Sequence, residues 1–173
     1  MKYVPLVEML GSESFQRFTT LSRHYCLLIE SKEPVVPEAF LKQMQQVLLD
    51  LYSAALKLEW IDLQTNVEPE VPKTNLPLIL RVIEGKLAAY RYYWSVFDPV
   101  SMDDIEPSCG DLHDDLGDIY KELKYSLLVF DLQTADSQEN AAWQFKNDFV
   151  SHWSDHCINA LRALHFFIQK VEN

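Results

Sequence analysis

Gly110-Asp111-Leu112-His113-Asp114-Asp115-Leu116-Gly117-Asp118-Ile119-Tyr120 is the stretch from which the fold class can be read. At about 100° per residue, Leu112, Ile119 and Leu123 mark the centre of an apolar stripe. The stripe includes Leu116 and continues through Leu127 and Phe130. A stripe with that period is a helix laying one face on a core.

The same period recurs on either side. Downstream, a turn at Thr134-Ala135-Asp136 leads into a long segment. Asp136 and Glu139 have the spacing of a capping box there. Its wide apolar face takes in Trp143, Phe149, Val150, Trp153, Cys157, Ala160, Leu161, Leu164, Phe167 and Ile168. Unbroken to Lys170, such a helix would run about 50 Å. Upstream, Leu80, Ile83, Leu87, Tyr90, Trp94 and Phe97 read as one stripe from Pro77 to a stop at Asp98-Pro99. Phe40, Met44, Val47, Leu48, Leu51, Ala55 and Leu58 form another, with Pro37 suited to its first turn. Ser12 caps a first helix that runs to near Ser31. The polar segment 62–75, with Pro69 and Pro72, reads as a surface loop. The expectation is a single domain over 1–173: an all-α, antiparallel bundle of about five helices.

Composition agrees. With 173 residues, 48% hydrophobic and only four glycines, the chain can bury a core and favours helix over sheet. The net charge of −11 repels phosphate backbones and anionic lipid, so neither nucleic acid nor membrane is an expected partner. Cys26, Cys109 and Cys157 are few, odd in number and widely spaced, which suits a reduced, cytoplasmic protein. The first residues lack the apolar run of a signal peptide, and no stretch approaches the length of a membrane span.

The candidate chemistry lies on the last two helices. Asp111, Asp115, Asp118 and Glu122 fall together on the flank of the stripe, with Asp115 nearest to it. Like charges at such spacing repel by a few tenths of a kcal/mol each, so the cluster calls for compensating partners. Structural partners are available on paper. Asp111 and Asp114 suit the first turn, Asp115 could pair with Arg162, and Asp118 and Glu122 could meet Lys121 or Lys124. His152 and His156 are four apart on the next helix and share a face, a spacing that can chelate one metal. Asp115, Asp118, His152 and His156 are therefore the candidate metal ligands, although the Glu-x-x-His pattern of bundle di-metal sites is missing. His113, His165 and His24 look unrelated to them.

Other chemistries fail on context. Glu30-x-x-Glu33 with Glu59-x-x-Asp62 resembles the acidic pattern of all-α nucleotide pyrophosphatases of the MazG type, yet Glu33 precedes Pro34 at a helix end. No EF-hand loop, phosphate loop, nucleophile elbow or H-E-x-x-H occurs.

Several pieces in order resemble a family catalogued as domain of unknown function 5063. They are Tyr93-Trp94-Ser95-Val96-Phe97-Asp98-Pro99, Asp114-Asp115-Leu116-Gly117-Asp118-Ile119, Trp143-Gln144-Phe145, Trp153 and Ala160-Leu161-Arg162-Ala163-Leu164. The resemblance covers the C-terminal half and implies a cytoplasmic, bacterial, all-helical protein with no established activity. Two readings follow. The leading one is an acidic interaction or scaffold module without a cofactor. It would hold a basic protein partner beside the fourth helix and the acidic loop of Asp98, Asp103, Asp104 and Glu106, as a monomer or homodimer. The alternative is a metal-binding bundle protein or metal-dependent hydrolase that carries a divalent metal on the four ligands above.

Overall fold

The computed structural model describes residues 3–96, 98–103 and 106–172. Helices α1 (Leu6–Gly11), α2 (Glu13–Glu30), α3 (Pro37–Ala55) and α4 (Leu76–Leu87) come first. A short hairpin follows, β1 (Tyr92–Ser95) with β2 (Ser108–Asp111), and then α5 (Leu112–Phe130), α6 (Ala135–Asp148) and α7 (Ser154–Glu172). A π-helical turn, Phe149–Trp153, joins α6 to α7 without a loop. The protein is an all-α bundle with one two-stranded accessory sheet.

Local chemistry sets most boundaries. The Ser12 hydroxyl accepts from the Phe15 N–H and opens α2, and Pro37 sits in the first turn of α3. At α6 the capping box is made by Thr134 and Ser137, not by Asp136 and Glu139. Those two acids instead tie down the 62–75 segment. Asp136 accepts from the Thr65 hydroxyl at 2.7 Å and Glu139 from the Gln64 N–H at 2.5 Å.

Helix α4 is shorter than the stripe from Pro77 suggests. It ends at Leu87, and Ala88 turns the chain with a positive φ of 50°. The aromatic run beyond it, Tyr92-Tyr93-Trp94, is β-forming. It pairs antiparallel with Ser108–Asp111, Tyr93 opposite Gly110 and Trp94 opposite Cys109. A period of three to four cannot distinguish aromatics that continue a helix from aromatics that line a strand. The last residue of that stripe, Phe97, lies outside the described residues, as does Asp104 of the acidic loop.

α5 is central. It packs on α2, α4, α6 and α7, while α3 covers α2 and α7 from the other side. Phe15, Phe18, Phe145, Phe149 and Trp153 interlock in the core as edge-to-face, stacked and tilted pairs. The buried Lys86 ammonium donates to the Leu28 and Ile29 carbonyls at the C-terminus of α2, at 2.5 and 3.1 Å. That placement satisfies carbonyls that the helix itself leaves open. No helix among the described residues is long and apolar enough to cross a membrane.

Candidate functional site

The site forms where the first half of α5 faces the π turn and the start of α7. These segments run antiparallel, so the acidic flank of α5 meets the histidine face. An α-helix admits one extra residue per π turn, and such turns recur at functional sites. Here the extra residue turns Val150, which the periodicity places on the apolar face, outward to 53% exposure. His152 lies within the same turn.

Asp115 is buried and lies beside His156, whose Nδ1 donates to its Oδ1 at 2.9 Å. The Tyr93 hydroxyl donates to the other oxygen, Oδ2, at 2.5 Å. Asp115 is thus occupied from both sides and does not pair with Arg162, an exposed residue on α7. On the second histidine, Nδ1 of His152 lies 2.6 Å from Oε1 of Glu122. Ionised carboxylate oxygens only accept, so each Nδ1 carries a proton, and in the neutral imidazole each Nε2 then presents a lone pair. Those two Nε2 atoms face each other at 3.3 Å. Asp118 Oδ2 lies 3.7 Å from the His156 Nε2. Asp118, His152 and His156 offer ligand atoms that all lie within 4.8 Å of one another.

Electrostatics follow from this packing. The hydrogen bond to Asp115 holds the His156 imidazole above its ordinary range, against the effect of burial. Burial raises Asp115 itself, opposed by the bonds from His156 and Tyr93. Burial, and then the charge of Asp148, raise Glu122, whose second oxygen is buried without a hydrogen-bond partner. The Lys121 ammonium sits on Asp118 Oδ1 at 2.6 Å.

Of the four candidate ligands, three converge through free donor atoms, whereas Asp115 stands behind His156 as its orienting partner. Sequence reasoning counted Glu122 among the flank acids and Tyr93 among the pieces that carry the family resemblance, but placed neither in the site. The i, i+4 relation of Asp118 to Glu122 was the available signal for Glu122, because it repeats the His152–His156 spacing. No spacing in the sequence ties Tyr93 to these acids, because it arrives through a strand. Asp111 caps α5 by accepting from the His113 N–H and is held by Arg91, so it belongs to the scaffold. His113 reaches the Leu80 carbonyl at 3.0 Å, away from the site.

A family model described as "Domain of unknown function (DUF5063)" matches residues 11–170, well beyond the C-terminal half. No curated protein matches the chain. The crystal structure of protein BF1032 from Bacteroides fragilis is similar, with a TM-score of 0.77 and 21% identity, over 91% of this chain and 93% of that one. At that identity the likeness concerns the fold.

Proposed function

The chain belongs to the DUF5063 family, and from its site geometry we propose that it is a metal-binding bundle protein. Asp118, His152 and His156 would hold one divalent transition metal. One observation carries this reading: two imidazole Nε2 atoms, both acceptors when the rings are neutral, face each other across 3.3 Å while both Nδ1 atoms are engaged by carboxylates. Two facing acceptors need a proton or a cation between them. A carboxylate behind each ligating histidine is the usual outer shell of a metal site, fixing tautomer and ring angle and raising basicity. Two imidazoles and one carboxylate suit zinc, iron, cobalt or nickel better than magnesium or calcium.

The test is elemental analysis and zinc titration of protein purified without tag or chelator, beside Asp118→Asn and His156→Ala. We expect one equivalent per chain in the wild type, and at least tenfold weaker binding in each variant. Equal metal content in all three proteins, or none in any, would reject the reading.

An interaction role has its own observation. On the hairpin and its loop, Trp94, Val100 and Met102 are 72%, 84% and 88% exposed, next to the acids Asp103 and Glu106. A surface of that kind fits a partner that is both basic and apolar. Binding of such a partner should fall with Trp94→Ala and Asp103→Lys; undiminished binding would place it elsewhere.

A further inference from the structure

We infer that the metal centre is four-coordinate and open, with three protein ligands and a fourth position for a small, uncharged nitrogen or oxygen donor. This rests on the metal reading above and adds geometry and ligand class to it. The separation of the two histidine nitrogens favours one geometry. At a metal–nitrogen length of about 2.05 Å, a tetrahedral edge is about 3.3 Å and an octahedral edge about 2.9 Å. Even at about 2.2 Å the octahedral edge reaches only about 3.1 Å. The observed Nε2–Nε2 separation is 3.3 Å, and Asp118 stands farther off still, at 3.7 Å from His156. The first matches a tetrahedral edge, whereas the second exceeds both edges, so Asp118 must move inward for either geometry. An octahedral ion would have to draw the imidazoles together against the carboxylates that fix them, whereas a tetrahedral ion needs only Asp118 to swing inward.

The fourth position is open because, among the described residues, no further protein donor joins the three. Asp115 and Glu122 are turned to the Nδ1 sides. The His152 side chain is partly exposed, so solvent reaches the centre. Open positions of this type carry water, made more acidic by the metal, or a substrate atom. The surroundings select the ligand class. Asp114 is close enough for its charge to act on His156, and Asp118 is itself anionic. The neighbouring cation, Lys121, is engaged by Asp118. A multiply charged anion such as phosphate meets net repulsion there, whereas a neutral donor does not.

The experiment is cobalt substitution followed by visible spectroscopy. Cobalt(II) added to metal-free protein should give the intense visible bands of a four-coordinate ion. Imidazole should shift those bands, and phosphate at equal concentration should not. Glu122→Gln, which weakens the support of His152 without removing a ligand, should lower cobalt affinity about tenfold while leaving the band shape intact. Bound cobalt with only weak, six-coordinate absorption would overturn the geometry and leave the metal reading standing. Strong bands unmoved by imidazole would overturn the open position, and a stronger response to phosphate would overturn the ligand class. Failure to bind cobalt at all would remove the metal reading itself.

Discussion

Gly110 lies under the ring of its cross-strand partner, Tyr93, and this gives a quantitative handle on the site. A Cβ at position 110 would fall 2.3 Å from Tyr93 Cζ, 2.4 Å from Cε2 and 2.8 Å from the hydroxyl oxygen. Real carbons do not approach so closely, and an aromatic ring cannot yield at its end as a flexible chain can. In Gly110→Ala the ring must therefore swing away and release Asp115, which it holds at 2.5 Å. A hydrogen bond to a buried charged group is worth about 1.5–3 kcal/mol. Tyr93→Phe removes that bond while the ring stays in place, and should cost about this much. Gly110→Ala should cost the same amount plus the lost ring packing, about 1 kcal/mol more. In the double variant there is no bond left to break, so the two effects should fall short of additivity by about 1.5–3 kcal/mol. Urea unfolding of the four proteins measures this directly. Additive losses would show that the ring can leave Gly110 without releasing Asp115, and the proposed link from hairpin to histidine would be wrong.

Other perturbations follow from the same contacts. Gly85, inside α4, has nothing within 4 Å of an added Cβ, so Gly85→Ala should stabilise by about 0.5–1 kcal/mol in denaturant melts. Trp153→Ala empties the centre of the aromatic core and should cost about 3–5 kcal/mol, lowering Tm by roughly 6–20 °C. Lys86→Met removes the donor from the Leu28 and Ile29 carbonyls. It should destabilise by about 1–3 kcal/mol, with hydrogen exchange rising first at the end of α2. Arg23 holds the Asp131 carboxyl below its ordinary range. A depressed folded pKa gives stability that is present above the unfolded value and lost as pH falls through the folded one. Asp131→Asn should therefore flatten the acid limb of the stability profile; an unchanged limb would show that the pair contributes nothing there.

Periodicity read the helices well where burial is one-sided. The stripe from Phe40 to Leu58 is buried throughout, and Ser12 and Pro37 sit where their chemistry puts them. It failed where one residue type serves two structures. Tyr90 to Trp94 continue a helical stripe on paper, but the backbone reverses at Ala88 and the aromatics pair as a strand. It failed again over the length of the last helix, because a π turn keeps the helical appearance while shifting its phase by one residue. The acid and histidine faces were visible separately in the sequence. Which acid would stand behind which histidine depends on the relative height of two antiparallel helices, and no local spacing encodes that.

The π turn also makes the last two helices a vernier. α6 lies mainly along α5, and α7 lies along both α3 and α5. A single unbroken helix has one phase to offer, yet the two layers ask for different ones. One surplus residue at Phe149–Trp153 resets the phase midway, and His152 lies in the reset. Inserting one further residue there as ordinary α-helix would rotate everything beyond it by about 100°. Either the contacts of α6 or those of α7 would then fall out of step. The number of residues between Asp148 and His156 is therefore as much a part of this architecture as their identities.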